Sequence, residues 1–319
     1  MIRSLRRYQP DSPVWVLCLD DVCHRMLTVL DEPNVRLVTL AEFEHDDPAL
    51  RSARSNRSLV EYYFTCTPSL VRYVLGKSDP GDSVTYVDGD LYFFSDPQPL
   101  HDELGSGAVS LIEHRFPEAI GERIRYGVYN VGWLTFRNDS LGLAVVEWWR
   151  DRCNEWCYDL LEDDRFADQK YLDRFGELFK GVVVLRNEGA NVAPWNIARY
   201  RVSVRGDTVM LNGKSPLVFF HFHGLKALGG YAYLAAHRPY RAPFDGDIRR
   251  AIYRPYVAEL AAIDRELASK GLVASAILER RPAPPSPMGR AWPGLNRIVD
   301  GLPMILRGQV LLVVAGRVF

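Results

Sequence analysis

The chain has 319 residues with 39 Lys and Arg against 40 Asp and Glu, a net charge of −1, and no long basic run, which excludes the broad electrostatic footprint of a polynucleotide-binding surface. At 47% hydrophobic and 25% charged residues it reads as a globular protein of one large or two modest domains. The five cysteines, an odd number, fit thiols in a reducing compartment, so a cytoplasmic location is expected.

The N-terminal stretch MIRSLRRY is basic, but Gln9-Pro10-Asp11-Ser12-Pro13 stands where a signal peptide needs its apolar stretch, so none is read. Val14 to Cys18 then reads as a buried strand, a helix begins near Asp21, and Val35 to Thr39 forms a second strand. Ser58, with Glu61 three residues on, predicts a capping box for a helix over Leu59 to Lys77 that contains Pro68. Val84 to Val87 is the next buried strand, and Leu91 to Phe94 is extended.

Further strands are expected at Ala108 to Ile112 and Asn130 to Phe136, followed by a helix capped by Asp139 or Ser140 and reaching about Leu161. On that helix Cys153 and Cys157, like Trp148, Trp149 and Trp156, are read as core residues. Phe166 to Leu172 opens a shorter helix, and Val182 to Leu185 is a strand. Arg201 to Leu211 folds as a hairpin about Gly206-Asp207, and Leu217 to Phe222 is the last strong strand. A helix over Asp247 to Lys270 precedes a proline-rich stretch, Arg281 to Pro293. Leu302 to Phe319 mixes apolar residues with Arg307 and Arg317, a pattern compatible with peripheral membrane contact, and is far too short in its apolar run to span a bilayer.

The rhythm of strand and helix in the first half predicts an α/β domain with a mostly parallel central sheet. Asp88-Gly89-Asp90 follows one of its strands, so both carboxylates can emerge at the carboxyl end, where open α/β sheets bind ligands. Two hard oxygen donors suit Mg²⁺ or Mn²⁺. Asp-Gly between two extended runs is also a hairpin turn signal, so the pair needs its neighbours to carry meaning. His221 and His223 alternate along a strand and share a face, and a neutral imidazole is a natural third ligand beside two carboxylates. His221 is preferred, and His223 competes for the role.

Val84 to Pro97, with Asp88-Gly89-Asp90 and the trailing Phe94-Ser95-Asp96-Pro97, resembles the Asp-x-Asp segment of bacterial glycosyltransferases of the type A fold, in groups related to family 8. Three later segments are similar to that family's in the same order: Tyr129 to Gly132, Phe166 to Leu172, and Phe220 to Gly224. The resemblance spans about Arg3 to Gly224. It implies a Rossmann-like α/β fold, with a catalytic domain over residues 1–235 and a helical C-terminal extension over 236–319. It implies a divalent cation on Asp88, Asp90 and His221, with Gly89, Gly132, Gly224 and Lys226 around the donor. Asn130, Asp168 and Gln169 would hold the sugar of a nucleoside-diphosphate sugar for transfer, with retained anomeric configuration, to a glycan, glycolipid or protein acceptor.

The sequence departs from that family in two places. Its Lys-Pro-Trp ending is missing around Lys226, and the first strand and most of the helix after it are missing before Ile2, which points to a true start upstream of Met1. The rival reading is a non-catalytic nucleotide-sugar binder, a pseudoenzyme. Nucleotidyl transfer lacks its glycine-rich basic loop here.

Overall fold

The computed structural model describes residues 1–45, 47–228, 232–272, 310–314 and 317–318. Helix α1 (Ile2–Arg6) leads into β1 (Val14–Cys18), α2 (Asp21–Leu30) and β2 (Val35–Thr39). Asp20 caps α2 by accepting from the Cys23 N–H at 2.7 Å. Helices α3 (Leu40–His45) and α4 (Pro48–Ala53) precede α5 (Leu59–Leu75), at whose start Ser58 and Glu61 form the expected capping box. Then come β3 (Ser83–Val87), β4 (Leu91–Phe93), α6 (Gln98–Leu104) and β5 (Val109–Ile112). A 3₁₀ stretch, Glu118–Tyr126, precedes β6 (Trp133–Arg137) and α7 (Ser140–Glu155), which Asp139 caps through Leu141 and Gly142.

A 3₁₀ turn, Lys170–Arg174, continues into α8 (Phe175–Leu178) and β7 (Val182–Leu185). The hairpin β8 (Val202–Arg205) and β9 (Thr208–Leu211) is followed by β10 (Ser215–Pro216), β11 (Phe219–His221), β12 (Lys226–Ala227) and β13 (Ala232–Leu234). After α9 (Gly246–Ile248) and a π-helical turn, Arg249–Tyr253, comes α10 (Arg254–Ser269), and β14 (Val310–Val314) and β15 (Arg317–Val318) lie near the C-terminus. The proline-rich stretch 281–293 lies outside the described residues, as does most of 302–319. Among the described residues no helix is long and apolar enough to cross a membrane.

The α/β expectation holds, but the central sheet is mixed rather than mostly parallel. Its order is β3-β6-β5-β7, and only β5 and β7 pair in parallel, because β6 is antiparallel to both of its neighbours. The reason lies in the connection from β5 to β6. A parallel neighbour needs a full helical crossover, whereas Glu118–Tyr126 is 3₁₀ and breaks its own regularity at Ile120. Strands β1 and β2 form a separate parallel pair, and a cavity of about 550 Å³ lies between β1 and β3, lined by Val14, Val16, Val84 and Tyr86 among others.

Two helix boundaries differ from the sequence expectation. Helix α7 stops at Glu155, where Trp156 turns extended, ahead of Asp159, Glu162, Asp163 and Asp164, whose charge disfavours the negative end of a helix. No helix starts at Phe166, because Ala167 takes a left-handed φ of 47°, which a continuing helix does not permit.

Three apolar clusters hold the site in place. Leu91, Phe93, Trp133 and Phe219 pack beneath the turn at residues 88–90. Trp149, Phe136 and Phe175 anchor α7 against the sheet. Phe220 and Phe222, on the strand face opposite His221, join Tyr253, Tyr256 and Val257 of the C-terminal helical segment.

Candidate functional site

Asp88 and Asp90 emerge at the end of β3, and backbone bonds fix the turn between them. The Asp88 N–H donates to Gly132 O at 3.2 Å and the Leu91 N–H to Asp88 O at 3.3 Å. Strand β11 then pairs antiparallel with β4, setting His221 opposite Leu91, and the Phe222 N–H donates to Asp90 O at 3.0 Å. This register brings a distant histidine to the acidic turn. His221 Nε2 lies 3.0 Å from Asp90 Oδ1 and 3.5 Å from Asp88 Oδ2.

One ligand atom from each of Asp88, Asp90 and His221 falls within 4.8 Å of the others. Two carboxylates and an imidazole form a donor set that suits Mn²⁺ or Mg²⁺, and the residues present fit such an ion. The electrostatics agree. Burial pulls the His221 imidazolium down, but the Asp90 and Asp88 carboxylates more than offset it, so its pKa is raised. Burial lifts the Asp90 carboxyl, and His221 more than reverses that, leaving it below the ordinary value. For Asp88, burial and the Asp90 charge win and its pKa rises, although the Tyr86 hydroxyl donates to its Oδ1 at 2.9 Å.

The Asn130 side chain serves the turn from the other direction. Its Oδ1 accepts from the Gly132 N–H at 3.0 Å, and its Nδ2 reaches His114 Nε2 at 3.3 Å and Gln169 Oε1 at 3.5 Å. Gln169 Nε2 donates to Tyr126 O at 3.1 Å. Asp168 is 4% exposed; burial first, then the Asp88 charge, pushes its carboxyl up to about 7, against a hydrogen bond from Thr67. Its backbone carbonyl accepts from the Trp149 indole at 2.8 Å, so the helix core fixes its position.

One cavity of about 630 Å³ gathers Asp88, Gly89, Asp90, Asn130, Asp168, Gln169, His221 and His223. A Cβ added at Gly89 would meet nothing within 4 Å, so the space over it is open. At Gly132 a Cβ would sit 2.7 Å from Asn130 Oδ1 and 2.8 Å from His221 Nδ1, so only glycine leaves room for both. Gly224 holds a left-handed φ of 71°. His223 lines the cavity without joining the ligand cluster, and Lys226 stands exposed on β12, outside the residues that line it.

Four further residues of this cavity had no motif to reveal them: His114, Arg123, Trp195 and Tyr240. His114 is stacked on Phe116 at 4.7 Å and its Nδ1 meets Val128 O at 3.1 Å. Burial pushes its pKa down to about 4, so the ring next to Asn130 is neutral. Trp195 sits in a loop that Asn196 closes by donating to His114 O and Asn191 O, both at 2.8 Å. The run Asn191-x-x-Pro-Trp-Asn196, rich in turn formers around one large aromatic, was the available signal.

No family model matches the sequence. It is 33% identical over 233 residues to YfnF of Bacillus subtilis (strain 168), described as uncharacterized, a match that covers 71% of this chain and 76% of that protein. It is 33% identical over 263 residues to YfnD of the same strain, also described as uncharacterized, covering 82% of this chain and 83% of that one. Among solved structures, a glycosyltransferase involved in the glycosylation of the major capsid of PBCV-1 aligns with TM-score 0.39 and 11% identity, over 67% of this chain and 95% of that one. Mouse xyloside xylosyltransferase 1 in its apo form aligns with TM-score 0.43 and 12% identity, over 70% of this chain and 90% of that one.

Proposed function

For this chain, which belongs to the family of YfnD and YfnF of Bacillus subtilis, we propose glycosyl transfer from a nucleoside-diphosphate sugar to a glycan, glycolipid or protein acceptor. The observation that carries the reading is the convergence of Asp88, Asp90 and His221 on one point beside an open glycine. The order of four family-like segments in the sequence supports it as well.

In this reading Asp88, Asp90 and His221 hold Mn²⁺ or Mg²⁺. The cation, when bound, supplies positive charge to a departing diphosphate. Asn130 and Gln169 orient the donor sugar, and their mutual contact restricts both side chains, which lowers the entropy lost on binding. The neutral His114 ring, held by the Val128 carbonyl, fixes the Asn130 amide in turn.

Asp168 stands poised near neutrality. In a retaining transfer it lines the sugar pocket. Should the reaction invert configuration, it is the group able to take the acceptor proton. Residues 1–235 form the catalytic part in this proposal, with residues 236–319 as an extension.

The test is release of nucleoside diphosphate from a panel of nucleotide sugars with Mn²⁺, set against EDTA. Metal-dependent release supports transfer. Binding without turnover replaces it with the non-catalytic binder, and neither binding nor turnover removes the donor altogether.

A further inference from the structure

Beyond the ligand cluster the cavity has a second wall, built from Phe116, Arg123, Trp195, His223 and Tyr240. Its rings step away from the cluster in order. His223 lies 5.9 Å from His221, Trp195 lies 5.0 Å from His221 and 5.5 Å from His223, and Tyr240 lies 6.0 Å from His223. The Arg123 guanidinium closes the row 4.7 Å above the Tyr240 ring.

Two features of this wall point to a ligand. Trp195 is 3% exposed and its indole N–H has no acceptor, although a buried tryptophan ordinarily finds one. Arg123 contributes the one Lys or Arg side chain among the described residues lining a cavity that also holds Asp88, Asp90, Asp159 and Asp168. Its Nη2 donates to Pro239 O at 3.1 Å, while its Nε has no partner.

The 3₁₀ stretch Glu118–Tyr126 keeps this wall apart from the sugar pocket. Tyr126 leans on Phe166 at 4.9 Å and accepts from Gln169 through its carbonyl, whereas Arg123, one 3₁₀ turn earlier, faces Tyr240. The rings of His223 and Tyr240 separate Arg123 from His221, so the guanidinium reaches a part of a ligand other than that held by the cluster.

We propose that this wall is the acceptor subsite and that the acceptor is an anionic sugar, whose ring packs on the exposed His223 and the half-buried Tyr240, with the buried Trp195 backing both, and whose carboxylate or phosphate meets Arg123. The proposal rests on the glycosyl-transfer reading for the word acceptor, and on the wall itself for the ligand class. Aromatic faces suit the C–H face of a sugar, and a guanidinium is the side chain that matches a planar carboxylate or a phosphate with paired donors. The anionic group would enter beside Arg123, where the local charge is positive, and away from the aspartates of the ligand cluster.

Saturation-transfer NMR on the full chain, with diamagnetic Mg²⁺ and each common nucleoside diphosphate present, tests this with glucuronate, glucose 6-phosphate and glucose as probes. Ring protons of at least one anionic sugar should receive saturation, with affinity about tenfold above that of glucose, the worth of one charge-assisted contact. Whichever of the two prevails identifies the anion as carboxylate or phosphate. Arg123→Gln should erase the preference, and Arg123→Lys should restore part of it.

Equal binding of glucose, or an undiminished preference in Arg123→Gln, overturns the proposal. So does a parallel loss of pyrophosphate binding in Arg123→Gln, which would put the guanidinium on the donor. Donor hydrolysis, followed in parallel samples that hold nucleotide sugars in place of the diphosphates, keeps the two readings apart: its absence counts against transfer, while the sugar-binding preference still reports on the wall.

Discussion

His221 Nε2 lies 3.0 Å from Asp90 Oδ1, and the contact exists because β11 pairs with β4 one residue beyond Asp90. The imidazole is 3% exposed and cannot turn away into solvent. His221→Ala should weaken Mn²⁺ binding, measured by calorimetry, by more than the roughly 10–100-fold that loss of an outer-shell partner costs. The strand register does not depend on that side chain, so the cooperative unfolding transition should persist. An affinity equal to that of the unaltered protein would remove His221 from the ligand set.

The same geometry predicts a pH dependence. Burial favours the neutral His221 ring, yet Asp90 and Asp88 prevail and hold its proton above the ordinary value of 6.5. In the metal-free protein this ion pair therefore stabilises the fold fully below pH 6.5, down to where Asp90 itself takes up a proton, and is lost as pH rises through the raised His221 pKa. A dication must displace the proton. Below that pKa each unit fall in pH should weaken Mn²⁺ binding about tenfold, with proton release visible as a buffer-dependent heat. A flat affinity profile would mean that the imidazole does not ligate.

The acidic turn and the strands around it were legible because their signals are local. Val14 to Cys18 and Val35 to Thr39 became strands with the expected bounds, and the Ser58 box closed as written. The mixed sheet was not legible, because strand direction depends on whether residues 113–132 make a helical crossover, and a 3₁₀ stretch with a break at Ile120 leaves no periodic trace. Ala167 illustrates the same limit. Nothing in its side chain announces a left-handed backbone, and that one dihedral turns a predicted helix start into the loop that holds Asp168. Trp195 enters the cavity from a loop and Arg123 from that 3₁₀ stretch, where position is set by long-range bonds such as those of Asn196.

Gly132 offers a separate test of how tightly the site is built. An alanine methyl there would lie 2.7 Å from Asn130 Oδ1 and 2.8 Å from His221 Nδ1, closer than nonbonded atoms settle. Both side chains would have to give, at the cost of the metal ligand and the Asn130 hydrogen bond. Gly132→Ala should therefore lower both Mn²⁺ affinity and donor turnover, with a stability loss of about 1–3 kcal/mol typical of overpacking. Gly89→Ala is the control, since the same methyl meets nothing within 4 Å, and its fold stability should stay within about 0.5 kcal/mol of the original.

Asp168 ties stability to pH in the opposite sense from a salt-bridged carboxylate. Burial, then the Asp88 charge, raises its pKa from 3.8 to about 7. Between those values the folded chain holds a proton that the unfolded chain has released, so this group makes the protein less stable as pH rises across that window. A shift of this size corresponds to a few kcal/mol at most, on the order of 1.4 kcal/mol for each unit. Asp168→Asn cannot ionise, and its denaturation free energy in EDTA should lose this downward slope, gaining about 1–3 kcal/mol over the original at pH 8. Mn²⁺ should reduce the difference in the original protein, because a dication at Asp88 offsets the second cause of the shift. Identical pH slopes for the two proteins would show that Asp168 is not the group held near neutrality, and with it would go the candidate for a proton acceptor in the sugar pocket.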